Sequence, residues 1–152
     1  RLPSGFEAKF AGLVRAAPGN FLKPLISWND EFSVGIDVID RQHQHMLGLI
    51  NKIDDAIQEG RTYEQFAPVL NELMDYTNRH FEHEEKLLEE NHCPDIDRHK
   101  KSHVRLRAEL ADWKEKVAEA TAEDMNEHML FLRIWFPGHI LNVDKKDADY
   151  LA

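Results

Sequence analysis

The chain has 152 residues and a formal net charge of −9, from 19 Lys and Arg against 28 Asp and Glu. That length fits one domain with a real core and is short for two, and the acidic balance argues against a nucleic-acid surface, since phosphate binding is carried by clustered cations. No apolar run approaches the roughly 18 residues of a membrane helix and there is no secretory signal pattern, so no direct membrane insertion is expected.

Seven Gly, six Pro and an abundance of Leu, Ala, Glu and Lys point to an all-α protein. The single cysteine, Cys93, excludes an internal disulfide and fits a reducing, cytoplasmic setting. Just before Pro94, it reads as a small hydrophobe at a helix junction rather than a reactive thiol. The chain starts at Arg1 without a methionine and is read as a piece of something longer.

Residues 1–24 stand apart. They hold Pro3, Pro18 and Pro24 and carry Arg1, Lys9, Arg15 and Lys23 against Glu7, in contrast to the acidic remainder. We read them as an N-terminal connector, with Phe6, Phe10, Leu13 and Val14 at the spacing of a short amphipathic helix. Residues 25–152 then form the main domain. Its first stretch, from Trp28 through Asn29 and Asp30 to Gly35, mixes turn residues with isolated large apolars, which suits an ordered arm laid across a helical body.

Helical periods follow. Ile39, His43, Met46, Ile50, Ile53 and Ile57 advance in threes and fours until Gly60. A second helix starts at Thr62, with Gln65 as capping partner, and carries the stripe Phe66, Leu70, Leu73, Thr77, His80, Glu84 and Leu87. A third starts near Asp95 with Ile96, His99, His103, Leu106, Leu110, Trp113 and Val117. A fourth runs from about Thr121 through Met125, Met129, Leu132, Trp135 and Phe136 to His139, with Pro137-Gly138 expected to kink or loosen its last turns. Short connections make the helices antiparallel neighbours, an up-down-up-down four-helix bundle with an N-terminal arm.

These stripes send His43, His80, Glu84, His99, His103 and His139 into one interior. Asp144 lies five residues beyond His139, about 140° round an ideal helix, so it joins them only if the helix bends or ends in between. One such histidine is more often a hydrogen-bonded core residue than a ligand. Seven ionisable groups together would cost several kcal/mol per uncompensated charge, a cost that a cation removes. The set exceeds a structural zinc site and lacks the thiolates of an iron–sulfur cluster. Imidazole with carboxylate suits iron, and two ions sharing two carboxylates use the set economically. The other histidines, His45, His83, His92 and His128, read as solvated or at most as hydrogen-bonding neighbours of ligands. Glu82, Glu85, Glu89 and Glu90 read as a solvated helix face.

The segments Ser33-Val34-Gly35-Ile36, Ile39-Asp40-Arg41-Gln42-His43, His80-Phe81-Glu82-His83-Glu84-Glu85, His99-Lys100-Lys101-Ser102-His103 and His139-Ile140 with Asp144-Lys145-Lys146, together with Trp28 and Trp135, resemble the bacterial hemerythrin-like domains. The likeness runs from about residue 26 to the C-terminus. It implies two iron ions in an oxo- or hydroxo-bridged centre, one held by His99, His103 and His139, the other by His43 and His80, with Glu84 and Asp144 bridging. It further implies that dioxygen binds reversibly at an open position on the second iron. Met46, Phe81, Trp135 and Ile140 are then the expected apolar wall of the oxygen pocket. Asp147 stands where relatives often have a tyrosine, a departure that removes no ligand.

The leading expectation is reversible dioxygen binding for sensing, storage or delivery, as an oxygen-binding protein rather than an enzyme. By analogy it would be the C-terminal sensor module of a bacterial signalling protein, with the signalling domain upstream in the same chain. The alternative is a di-iron redox enzyme, such as a peroxidase, a nitric-oxide-handling or an iron-donating protein. A metal-free helical interaction module is the third reading.

Overall fold

The computed structural model describes residues 25–152; the expected connector and short helix of residues 1–24 lie outside them. Four α-helices account for most of the described chain: α1 (Asp37–Gln58), α2 (Tyr63–Glu90), α3 (Ile96–Lys116) and α4 (Ala122–His139). No strand occurs among the described residues. α1 packs on α2 and α4, and α3 packs on the same two, closing an antiparallel four-helix bundle.

The helix ends follow from local chemistry. Gly60, at φ +71°, closes α1: its N–H bonds to the Ile57 carbonyl and that of Arg61 to Ala56. α2 ends in the same paired arrangement, with His92 N–H on Glu89 and Cys93 N–H on Leu88, but here a histidine occupies the left-handed position, at φ 56°. Cys93 packs against Leu88 and Leu151, and so fills the apolar position that this kind of helix end calls for. At the start of α4, the Thr121 hydroxyl accepts from Asp124 N–H while the Asp124 carboxylate accepts from Thr121 N–H. Thr62 N–H donates to Gln65 Oε1 at the start of α2.

The arm is ordered, as expected. Asn51 on α1 grips Ile26 from both sides, accepting from its N–H at 3.1 Å and donating to its carbonyl at 2.9 Å. Asp40 accepts from Ser33 Oγ and Val34 N–H, which fixes the turn into α1. Leu25, Ile26, Phe32 and Val34 are thereby buried on the bundle.

One end of the bundle is an ordinary apolar core, with Ile53, Leu70, Leu73, Leu110, Trp113 and Leu132 at most 2% exposed. Each side chain so buried contributes about 1.5–3 kcal/mol. The other end is polar inside. It is built from the first turns of α1 and α3 and the last turns of α2 and α4, which antiparallel packing brings together.

Beyond His139 the helix meets the requirement set by Asp144 in an unexpected way. It runs through Pro137-Gly138 without ending and then widens into a π turn, Ile140–Asp144, with Lys145 N–H bonded to the Ile140 carbonyl at 2.9 Å. An i→i+5 turn stacks residues five apart that an α-helix would separate. Asp144 Oδ1 therefore lies 3.1 Å from His139 Nε2.

Candidate metal centre

The seven side chains singled out in the sequence come together at the polar end. His43, His80, Glu84, His99, His103, His139 and Asp144 are each at most 5% exposed. Their donor atoms form two overlapping groups: Glu84, His99, His103, His139 and Asp144 in one, His43, His80 and Glu84 in the other, with the atoms of each group within 4.8 Å of one another. Glu84 belongs to both. Its Oε1 lies 3.1 Å from His80 Nε2 and 3.3 Å from His103 Nε2. Asp144 also spans them, with Oδ1 3.0 Å from His99 Nε2 and Oδ2 3.1 Å from His43 Nε2.

Among the described residues most of these atoms lack a hydrogen-bond partner. Nε2 of His43, His99, His103 and His139 and all four oxygens of Glu84 and Asp144 are buried and unsatisfied. Such groups rarely occur together in a native interior, and a cation placed among them would satisfy all of them at once. The outer faces of the imidazoles agree with this. His80 Nδ1 lies 2.6 Å from Gln42 Oε1, His99 Nδ1 2.8 Å from Asp147 Oδ2, His103 Nδ1 2.9 Å from Glu85 Oε1 and His139 Nδ1 2.7 Å from Ser102 Oγ. Three of these partners are acceptors and the Ser102 hydroxyl can accept as well, so in the neutral rings Nδ1 can carry the proton and leave the Nε2 lone pair facing inward, as a metal ligand requires. The residues fit a metal centre.

The electrostatics without a cation show the conflict that one would relieve. Burial, and then the Asp144 charge, push the Glu84 carboxyl up to about 8. Burial acts the same way on Asp144, but the His139, His43 and His99 imidazoles outweigh it and hold that carboxyl well below the usual range. Burial lowers His80 to about 4. It also acts to lower His99, where Asp144, Glu84 and Asp147 prevail and raise the imidazole to about 9. His103 is pushed down by burial and by its histidine neighbours.

The aromatic candidates lie close by. Phe81 stacks on His103 at 3.7 Å and 7°, and Trp135 on His139 at 4.5 Å and 10°. Met46, Phe81 and Ile140 are each 1% exposed. Phe136, read in the sequence only as a member of the fourth helix's stripe, stands edge-on to His43 at 6.2 Å.

Two sequence readings are corrected. Glu85 is no solvated member of its run: its side chain is 19% exposed, and it accepts from Arg107 as well as facing His103. Glu82, Glu89 and Glu90 are exposed, as expected. His128 is not solvated either, being 15% exposed and stacked on Trp113 at 4.9 Å. His83 meets Gln42 Nε2 at 3.2 Å, and Gln42 is also the partner of His80. Gln42, Ser102 and Asp147 were missed as partners, although Gln42 and Ser102 each directly precede one of the inward histidines in the sequence.

A family model described as the hemerythrin HHE cation binding domain matches residues 34–151. The chain belongs to the hemerythrin family. Bacteriohemerythrin of Pseudomonas aeruginosa is 35% identical over 123 residues, 80% of this chain and 78% of that protein. Bacteriohemerythrin of Methylococcus capsulatus is 31% identical over 122 residues, covering 80% and 92%. The crystal structure of a hemerythrin variant superimposes with a TM-score of 0.77 at 29% identity, over 85% of this chain and 98% of that one. The hemerythrin match agrees with the bundle and with the cation-binding chemistry that the donor set fits.

Proposed function

We propose that residues 25–152 bind dioxygen reversibly at a non-heme di-iron centre. The observation that carries this reading is the division of one buried cluster into a three-imidazole and a two-imidazole group that share Glu84. His99, His103 and His139 would hold one iron, and His43 and His80 the other. Glu84 and Asp144 would be shared, alongside an oxo or hydroxo bridge. The side with one nitrogen fewer would leave room for an outside ligand. Imidazole with carboxylate suits iron, and a ferrous pair supplies the electrons for reversible uptake of dioxygen.

The chain's own contribution is to position and to exclude. Met46, Phe81, Trp135 and Ile140, joined by Phe136, would wall the pocket and keep water from the bound ligand. An apolar wall serves retention of a ligand rather than the proton delivery that turnover needs, which favours binding over catalysis. The buried lone Cys93 supports a reducing, cytoplasmic setting. The composition break at residue 24 supports a role as the oxygen-sensing module of a signalling protein, with storage and delivery as other uses of the same chemistry.

The test is spectroscopic. Ferrous-loaded protein exposed to air should develop a visible ligand-to-iron charge-transfer band that disappears on deoxygenation, and irreversible oxidation alone would refute the reading. Hydrogen-peroxide turnover far above a His43→Ala control would favour the redox-enzyme alternative.

A further inference from the structure

The five inward imidazoles are not held alike. On the three-histidine side every Nδ1 has an oxygen partner, and for His99 and His103 that partner is a carboxylate, Asp147 at 2.8 Å and Glu85 at 2.9 Å. Asp147 is itself only 3% exposed, and Glu85 is braced by the Arg107 guanidinium at 3.1 Å. On the two-histidine side, His80 faces the neutral amide oxygen of Gln42 at 2.6 Å, and His43 Nδ1 is buried with no hydrogen-bond partner among the described residues.

A carboxylate behind an imidazole has two effects. As an acceptor it keeps the proton on Nδ1 and so leaves the Nε2 lone pair aimed inward, and its negative charge makes Nε2 a stronger donor. An amide oxygen has the first effect only. An unpartnered nitrogen has neither: neutral His43 holds its proton on either nitrogen, and one of the two tautomers turns an N–H toward the ion.

We propose that Asp147 and Glu85 are positioning residues that make the His99, His103 and His139 side the tighter of two cation sites, so that the protein takes up its ions in sequence, that side first. This rests on the metal-centre reading and adds an order to it. Three nitrogens against two favour the same side. The carboxylates are therefore tested by changing them without touching a ligand.

The experiment is titration of the metal-free full chain with Co(II), followed by calorimetry and by visible absorption, with the thermal midpoint of each metal-free variant recorded beside it. The wild type should show two phases of one equivalent each, and His43→Ala should keep the first and lose the second. Asp147→Asn and Glu85→Gln keep shape and an acceptor but not the charge. Each should weaken the first phase by about 10- to 100-fold while the metal-free midpoint stays close to that of wild type. Gln42→Ala should weaken the second phase and leave the first within about twofold. If the wild type binds no Co(II), this inference and the metal-centre reading both fall. If it binds two ions in a single phase, or if neither carboxylate variant weakens the first phase more than the second, only the inference falls. The two positions are independent, so failure of one variant to fold leaves the other to decide.

Discussion

Replacing Glu84 by glutamine should move the stability of the metal-free and metal-loaded protein in opposite directions. The side chain is 0% exposed and both oxygens lack partners. With its carboxyl raised from 4.5 to about 8, the folded metal-free protein keeps a proton there that the unfolded chain gives up. Stability from this group is full below pH 4.5 and is lost as pH rises toward 8. At pH 7 the two and a half pH units above 4.5, at about 1.36 kcal/mol each, make the loss about 3 kcal/mol. Glutamine has similar shape and no ionisation to forgo. Metal-free Glu84→Gln should therefore melt roughly 6–12 °C above metal-free wild type at pH 7, and the two should converge near pH 4.5. Bound metal should reverse the order, because the wild type gains stability by mass action and the variant has lost the carboxylate common to both groups. Circular-dichroism melts in chelator and in Co(II) measure both effects. A metal-free variant less stable than wild type at pH 7, or one with an undiminished gain from metal, would refute the reasoning.

Three further outcomes are expected. Ile140→Ala should cost about 2–5 kcal/mol in denaturant unfolding and, on the proposed function, shorten the lifetime of the oxygenated form in air; an unchanged lifetime would remove Ile140 from the pocket wall. Metal uptake at pH 7 should release protons, because Glu84 at about 8 and His99 at about 9 hold them in the metal-free protein; an indicator dye in weak buffer reads this, and bound metal should be lost below about pH 5 as protons compete for the imidazoles. His92→Gly should stabilise the fold by about 1 kcal/mol without altering metal affinity, since a histidine there sits in the left-handed region that Gly60 fills at the corresponding end of α1.

The parts of this molecule that could be read from the sequence are those governed by period. Threes and fours along each helix placed six of the seven inward side chains, all but Asp144, because a side chain's facing depends on its own helix. Capping at Thr121 was legible for the same reason. What lay beyond reach depends on a second element. Glu85 looked like one more surface glutamate because nothing in α2 reveals that His103 and Arg107 of α3 flank it. Asp147 read as a mere departure from relatives, and only the turn after Asp144 shows that it returns to His99. The need for Asp144 to come round was clear from 140° of misphase, but the solution, a widened turn rather than a bend at Pro137, was not. Proline removes a bond without dictating how the following turn re-forms.

The outer hydrogen bonds form a chain around the bundle. Gln42 on α1 holds His80 on α2, Glu85 on α2 holds His103 on α3, Ser102 on α3 holds His139 on α4, and Asp147 beyond α4 returns to His99. A helix turned slightly about its own axis would thus misplace its own inward imidazole and at the same time release its neighbour's. The rotational phase of the helices is fixed collectively rather than one at a time. Cation affinity then becomes a gauge of helix rotation, and repacking the apolar end around Trp113 and Leu132 should register at the polar end as weaker metal binding even though none of the seven side chains there has changed.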